Sequence, residues 1–159
     1  MKTKKIISPS ALKALCHKLR SQHKKIVFTN GAFDILHLGH VTYLQKAKTF
    51  GDVLIIGVNS DSSVRRYKSP NRPINPQADR MAVLAALECV DYVVLFNEPT
   101  PLNLIMSLRP HVLAKGADYK KNQIAGAPEV ESWGGKVKLV KLVPGRSTTR
   151  VIEKMKGSA

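Results

Sequence analysis

Two histidines and the glycine between them are the residues of this chain best suited to phosphate chemistry. His37 and His40 lie three residues apart, with Gly39 between them, after the apolar run 25–29 and before the helical pattern 41–48. A strand that turns into a helix leaves backbone N–H groups free, and the helix dipole adds partial positive charge there. The spacing predicts that both imidazoles face one anion, while the glycine lets a polyphosphate approach the backbone.

The same residues also have a purely structural interpretation. An isolated histidine pair at this spacing more often caps a helix, and a lone glycine more often permits a tight turn. Here the pair stands in a longer run that starts at Asn30 and includes Gly31, Phe33 and Asp34. Because this run is far more specific than either residue type alone, we favour the phosphate-binding interpretation.

Three further groups of polar residues could bind anions, although each also has a plain structural explanation. Ser147-Thr-Thr149 opens the last predicted helix, where a serine is more often only a cap. Lys115 follows a short strand and can donate to phosphate, but a lysine beside a turn is as often simply solvated. A basic loop follows the second strand and is most simply surface charge; its cations are Arg65, Arg66, Lys68 and Arg72.

The composition narrows the class of protein. The length of 159 residues, with 43% hydrophobic and 23% charged residues, fits one soluble domain over 1–159, with 1–23 as an N-terminal helical extension. We expect a cytoplasmic protein without membrane contact, because no apolar stretch approaches the roughly 20 residues that span a bilayer. The net charge of +15 attracts polyanions. These could be nucleic acid, an acidic membrane or phosphorylated metabolites. The scattered basic residues and the aromatic content of 6% argue against nucleic acid, but the charge alone does not decide among the three.

Strands alternate with helices along the chain and predict the fold class. Five apolar strands are expected at about 25–29, 53–58, 91–96, 111–114 and 136–143. Helices are expected at 8–20, 41–48, 76–89, 101–108 and 147–156, with an irregular loop at 59–73. This alternation is typical of an α/β protein whose parallel sheet carries helices on both faces. Ligands of such sheets bind beyond the carboxyl ends of the strands, and polar residues follow those ends in this chain.

From about residue 25 to residue 152, the chain resembles the cytidylyltransferase-like nucleotidyltransferases. The resemblance is carried by N-G-A-F-D-I-L-H-L-G-H at 30–40, V-N-S-D at 58–61, R-P-I-N-P at 72–76, K-G-A-D-Y at 115–119, I-A-G at 124–126 and S-T-T at 147–149. Within this family, the resemblance is greatest to the heptose 1-phosphate adenylyltransferases. It implies a Rossmann-like fold and transfer of AMP from ATP to D-glycero-β-D-manno-heptose 1-phosphate, giving ADP-heptose and pyrophosphate for lipopolysaccharide core precursors.

The resemblance also implies a role for each matching residue. The implied catalytic residues, which stabilise phosphate charge, are His37, His40 and Lys68. The implied nucleotide-binding residues are Asn30, Gly31, Ala32, Phe33, Gly39, Lys115, Gly116, Asp118, Ser147, Thr148 and Thr149. The implied substrate-binding residues are Asp34, Asn59, Asp61, Arg65, Arg66, Arg72 and Arg80. For Asp34 a turn cap, and for Arg80 a helix-surface ion pair, remain as alternatives.

By resemblance, Mg²⁺ is the expected cofactor, bound mainly through the ATP phosphates without protein metal ligands. The expected partners are ATP, a sugar 1-phosphate, a second copy of the chain in a homodimer, and a separate heptose kinase.

Two other functions are compatible with the sequence. The first is a CTP-dependent cytidylyltransferase acting on glycerol 3-phosphate or another small phosphorylated alcohol. Glycerol-3-phosphate cytidylyltransferases typically carry an arginine where this chain has Leu142, and this difference argues against that function. Arg146 departs from both family patterns, and it either adds a phosphate contact or faces solvent. The second alternative is a non-enzyme, either a basic nucleic-acid-binding domain or a silent ligand-binding subunit. The intact histidines and the S-T-T run argue against both forms of non-enzyme.

Overall fold

The computed structural model describes residues 4–157, which form one parallel sheet of six strands. The strands are β1 (Ile6–Ile7), β2 (Ile26–Gly31), β3 (Val53–Asn59), β4 (Tyr92–Phe96), β5 (Val112–Gly116) and β6 (Lys136–Val140). Their spatial order is β1-β4-β3-β2-β5-β6, and every neighbouring pair is parallel. The predicted α/β fold is confirmed, but the predicted number of five strands is wrong.

The additional strand is β1, at the edge of the sheet beside β4. Ile6 and Ile7 pair with Val93 and Val94. Two residues are too few to produce a periodic pattern, so the sequence gives no strand signal here. The first three residues of the predicted N-terminal extension lie outside the described residues.

Seven α-helices and one short 3₁₀-helix (Lys121–Gln123) surround the sheet in the described part of the chain. The α-helices are α1 (Pro9–Ser21), α2 (Leu38–Lys48), α3 (Asp61–Tyr67), α4 (Gln77–Ala86), α5 (Leu102–Leu108), α6 (Ala127–Ser132) and α7 (Thr148–Met155). Between residues 4 and 157 we find no helix with the length and hydropathy to cross a bilayer.

The core lies on both faces of the sheet. On one face, α1, α5 and α6 pack against side chains such as Phe28 and Ile55. On the other face, α2 and α4 pack against Val27 and Ile56, the alternate residues of the same strands. Burial on both sides explains the continuous apolar runs of β2 and β3.

The segment 59–73 is only partly the irregular loop that its polar composition predicts. Ser60 caps α3, because its Oγ accepts a hydrogen bond of 3.1 Å from the N–H of Ser63. Ser63 and Val64 are buried, so tertiary packing stabilises a short helix with little sequence signal. The loop prediction is therefore wrong for Asp61–Tyr67.

The strand order reverses between β2 and β5. From β2 the chain proceeds outward to β3 and β4, and from β5 it proceeds outward to β6 on the other side. Parallel sheets bind ligands in the crevice beyond such a reversal. Asn30 and Gly31 end β2, while Lys115 and Gly116 end β5, so all four lie at this crevice.

Candidate active site

A cavity of about 360 Å³ opens at the crevice between β2 and β5. Its walls come from the ends of these strands, the start of α2, the end of α3 and the segment leading into α7. The lining residues are Asn30, Gly31, Ala32, Phe33, Asp34, His37, Gly39, His40, Tyr43, Tyr67, Lys68, Lys115, Gly116, Asp118, Tyr119, Leu142, Val143, Arg146, Ser147, Thr148 and Thr149.

The residues predicted to be catalytic or nucleotide-binding all line this cavity. Of the predicted substrate-binding residues only Asp34 does. Arg66 instead donates a hydrogen bond to the carbonyl of Asn97, and Arg65 is exposed on α3. The predicted substrate-binding residues outside the lining are Asn59, Asp61, Arg65, Arg66, Arg72 and Arg80. The structure thus brings the predicted catalytic and nucleotide-binding residues together and leaves most of the predicted substrate-binding residues, including three arginines of the basic loop, outside the cavity lining.

The two imidazoles lie against each other at the start of α2. His37 is the N-cap residue of α2 and His40 lies in its first turn. Their ring centroids are 3.9 Å apart, with 24° between the ring planes. Within residues 4–157, the buried Nδ1 atoms of both rings have no hydrogen-bond partner. Because a buried polar atom without a partner costs free energy, these two atoms are candidates for ligand binding.

Burial sets the charge of the histidine pair. It lowers the pKa of His40 to about 4, and the charges of His37 and Lys68 act in the same direction. Burial also lowers the pKa of His37, with a contribution from the charge of Arg146. A hydrogen bond to the backbone of Ile35 partly opposes the lowered pKa of His40. Both rings are therefore mostly neutral at pH 7 in the free protein, and a neutral imidazole has one N–H donor. A bound polyphosphate would raise both pKa values, since a nearby anion favours the imidazolium.

Two backbone features fix the turn that carries these rings. Phe33 has φ of 47°, an uncommon conformation for a bulky residue, and its ring centroid lies 5.3 Å from that of His40. A Cβ on Gly39 would lie 2.9 Å from Cε1 of His37 and 3.3 Å from Cβ of Arg146. Glycine at position 39 therefore lets the histidine ring and the segment before α7 meet at the start of α2.

Lys115 places a positive charge inside the crevice. Its Nζ donates a hydrogen bond of 2.5 Å to Oδ1 of Asn30 and lies 5.7 Å from the centre of the Tyr119 ring. Burial lowers the pKa of Lys115 to about 8, although the carboxylate of Asp118 opposes this shift. The lysine is still mostly charged at pH 7, and this charge is only partly hydrated.

The carboxylate of Asp34 is occupied by contacts within the protein. It accepts hydrogen bonds from Nε of Arg72 at 2.6 Å and from the backbone N–H groups of Ile74 and Asn75 at 2.8 and 2.9 Å. Burial raises the pKa of the Asp34 carboxyl, but these hydrogen bonds outweigh burial and leave the pKa below its usual value. Asp34 therefore holds the segment after α3, including Lys68, beside the cavity.

Arg80 connects several segments behind the cavity. The residue is 2% exposed. The guanidinium donates hydrogen bonds to the carbonyls of Ala32, Asn59 (2.8 Å) and Asn75 (3.0 Å) and to the carboxylate of Asp61 (2.7 Å). These contacts tie the ends of β2 and β3 to the segment before α4, which is a structural role for Arg80 and Asp61.

The start of α7 forms the remaining wall. The Oγ atom of Ser147 accepts a hydrogen bond of 3.2 Å from the N–H of Arg150 and thereby caps the helix. The hydroxyl of Thr148 donates at 3.5 Å to the carbonyl of Ile35, which links α7 to the turn before α2. The unpaired N–H groups and positive dipole end of α7 are consequently at the cavity.

Six lining residues were absent from the predicted site: Tyr43, Tyr67, Tyr119, Leu142, Val143 and Arg146. A signal existed for Tyr43, because it follows His40 by three positions and so shares its face of α2. The hydroxyl of Tyr43 forms a buried hydrogen bond of 2.7 Å with Oγ1 of Thr29. The other five residues lie at element ends or in connecting segments, whose spatial position depends on contacts distant in sequence.

Paired imidazoles, a lysine and two helix N-termini around one cavity are typical of an α/β protein that binds phosphate groups. A cytidylyltransferase-like family model matches residues 28–155. The chain therefore belongs to the cytidylyltransferase-like family.

Individual relatives agree with this assignment. The chain is 54% identical over 152 residues to the bifunctional protein HldE of Geotalea uraniireducens, a match that covers 96% of this chain and 31% of that protein. The chain thus spans about a third of the length of this curated relative. A solved lipopolysaccharide core biosynthesis protein from Thermoplasma volcanium is 31% identical, with a TM-score of 0.61, covering 76% of this chain and 97% of that one.

A more distant structure shows the same fold. The pantoate-beta-alanine ligase of Francisella tularensis superposes with a TM-score of 0.64 at 19% identity, covering 91% of this chain and 68% of that one.

Proposed function

We propose that this chain is a heptose 1-phosphate adenylyltransferase, which transfers AMP from ATP to D-glycero-β-D-manno-heptose 1-phosphate. The observation that carries the proposal is the convergence of His37, His40, Lys115 and Ser147 around one cavity. The high identity to proteins named HldE supports the choice of reaction within the family.

In the proposed reaction, an oxygen of the sugar 1-phosphate attacks the α-phosphorus of ATP in line. The bond from this phosphorus to the bridging oxygen of the β-phosphate breaks, and pyrophosphate leaves with that oxygen. The protein forms no covalent intermediate. It aligns the two substrates and stabilises the negative charge on the transition state.

The histidine pair is the group that stabilises this charge. Each neutral ring of His37 and His40 donates one N–H to the phosphate oxygens, and the approaching anion raises their pKa values. Lys68, held near the cavity through the Asp34–Arg72 pair, adds positive charge beside the attacking or leaving phosphate. The start of α7 binds the terminal phosphates of ATP.

Mg²⁺ fits this site as a counter-ion of the triphosphate. The carboxylate of Asp34 is occupied by Arg72 and two backbone N–H groups. Within residues 4–157 we find no cluster of three His, Cys, Asp or Glu side chains that could hold a metal. When bound, Mg²⁺ would neutralise phosphate charge through phosphate and water ligands.

The partners follow from the same proposal. ATP and the heptose 1-phosphate are the substrates, and a kinase, either separate or fused, supplies the sugar phosphate. The name of the HldE relative describes a bifunctional protein of which this chain matches one part. We further propose a cytoplasmic homodimer, since ATP is the donor and relatives are commonly dimeric.

Pyrophosphate release tests the proposed function. The chain, with Mg²⁺, should release pyrophosphate from ATP in the presence of D-glycero-β-D-manno-heptose 1-phosphate, and much more slowly with glycerol 3-phosphate. The same two reactions with CTP in place of ATP are the control. A preference for CTP with glycerol 3-phosphate would contradict the proposal, as would salt-sensitive oligonucleotide binding without any pyrophosphate release.

ATP binding should weaken as the pH rises through the pKa of Lys115. Lysine is charged below its pKa, so the attraction between Lys115 and phosphate is present at pH 7 and is lost above about pH 8. We expect the Kd for MgATP to rise up to about tenfold between pH 7 and pH 9, as measured by calorimetry. In Lys115→Met, binding should be weaker at pH 7 and nearly independent of pH; an unchanged slope in this variant would exclude Lys115 as the titrating group.

A further inference from the structure

Arg146, in the segment between β6 and α7, lies where two cavities meet. It lines the cavity of about 360 Å³ that holds the histidine pair and a neighbouring cavity of about 590 Å³. The two cavities share His37, Arg146 and Ser147 in their linings. Arg146 therefore lies at the boundary between the crevice and the cavity beside α7.

The backbone holds Arg146 against the histidine turn. Gly145 has φ of 70°, which produces a tight turn directly before Arg146. The N–H of Arg146 donates a hydrogen bond of 3.4 Å to the carbonyl of Val143 across this turn. Its Cβ lies 3.3 Å from the position that a Cβ on Gly39 would occupy. The close approach requires glycine at position 39 and fixes where the arginine side chain begins.

The charge of Arg146 has no protein counter-ion in the described part of the chain. The ion pairs found there are Lys48–Asp91, Arg72–Asp34, Arg80–Asp61 and Lys121–Glu131. The charge nevertheless acts on the site, because it contributes to the lowered pKa of His37. A cation beside two neutral imidazoles and the positive end of α7 produces a local potential that a polyanion would neutralise.

We propose that Arg146 binds the β- and γ-phosphates of ATP and then the pyrophosphate formed from them. With the nucleoside beside Lys115, the charged tail would lie between the histidine pair and the start of α7, where Arg146 lines the cavity. A guanidinium can donate two parallel hydrogen bonds to phosphate oxygens and stays charged throughout, so it stabilises the leaving group without transferring a proton. This inference rests on the part of the proposed function that makes ATP the nucleotide substrate. It does not depend on which sugar phosphate is the acceptor.

Calorimetry with nucleotides of different length tests this role. In Arg146→Met, the Kd values for MgATP and for magnesium pyrophosphate should rise about tenfold, as expected for loss of one charge-assisted contact, while the Kd for AMP should stay within about twofold. Arg146→Lys should give intermediate values. The matched control is Lys138→Met, which removes an exposed cation of β6 that lines neither cavity. This control should keep all three Kd values within about twofold.

A second readout separates a local charge effect from misfolding. Without ligand, NMR titration of Arg146→Met should show a higher pKa for His37 than in the wild type, because the neighbouring positive charge is gone. Unchanged MgATP and pyrophosphate affinities, or equal losses for AMP and ATP, would overturn the role of Arg146. A protein that loses MgATP affinity in Arg146→Met but transfers AMP to no sugar phosphate would contradict only the proposed function.

Discussion

Replacing His40 by alanine is expected to lower turnover about 100-fold or more, within the range seen when a donor that stabilises transition-state charge is removed. His40 is the more buried ring of the stacked pair, and its Nδ1 is a buried polar atom without a partner in residues 4–157. The variant retains the backbone turn and the positive end of α2, so ATP should still bind. The measurement is the single-turnover rate of ADP-heptose formation at saturating MgATP and heptose 1-phosphate.

His17→Ala is the matched control for this variant. His17 is exposed on α1 and does not line the cavity, so its removal should leave the single-turnover rate unchanged. Circular dichroism should show that both variants are folded. A folded His40→Ala protein with near-normal single-turnover chemistry would exclude the proposed catalytic role.

The same variant has a second effect that does not depend on activity. The pKa of His40 is about 4 in the folded protein and 6.5 for an ordinary histidine, so the unfolded chain takes up the proton first as the pH falls. The contribution of this difference to the free energy of unfolding is therefore fully present above pH 6.5, and it is lost as the pH falls to about 4. His40→Ala should lose less stability than the wild type over this window, as measured by urea unfolding at each pH.

The meeting of the predicted phosphate-binding residues at one cavity was predictable, because much of it depends on local geometry. His37, Gly39 and His40 lie within four consecutive residues at a strand-to-helix turn, and this turn alone brings their reactive atoms together. Lys115 was predictable for a related reason, since it ends a strand next to β2 at the reversal of strand order. In both cases, the sequence pattern locates a strand end, and the topology of a parallel sheet places that end at the crevice.

The predicted substrate-binding residues show the limit of this approach. Asn59 and Asp61 lie at the end of β3, and Arg80 lies on α4. Arg80 nevertheless donates to the backbone carbonyl of Asn59 and to the carboxylate of Asp61, while the side-chain amide of Asn59 donates to Oγ of Ser63. Whether a polar group at a strand end faces a ligand or a buried arginine depends on contacts between distant residues. A single sequence contains no signal for such contacts, and the motif resemblance does not distinguish the two roles.

The short elements were unpredictable for a different reason. β1 exists because two isoleucines pair with an edge strand, and α3 exists because a serine caps it and Val64 is buried beneath it. Neither segment is long enough to show a period of 2 or 3.6 residues. Their stability comes from tertiary contacts, so their composition is a poor guide to their conformation.

Replacing Arg80 by methionine should lower the free energy of unfolding by about 3 kcal/mol, the low end of the range for breaking a buried ion pair by removal of one partner. The substitution keeps most of the apolar volume but leaves the carbonyls of Ala32 and Asn59 and the carboxylate of Asp61 without their donor. With a urea m-value of about 2 kcal/mol/M, the unfolding midpoint should fall by about 1.5 M.

Arg66→Met is the control that distinguishes a structural Arg80 from a substrate-binding one. Arg66 also donates to a backbone carbonyl, but it is exposed, so its loss should change the free energy of unfolding by less than about 0.5 kcal/mol. If Arg80 instead bound the sugar phosphate, Arg80→Met would be as stable as Arg66→Met and would raise the KM for that substrate. The position of Arg80, 2% exposed behind the cavity, predicts the opposite result: a large loss of stability, with ATP affinity retained in the fraction that remains folded.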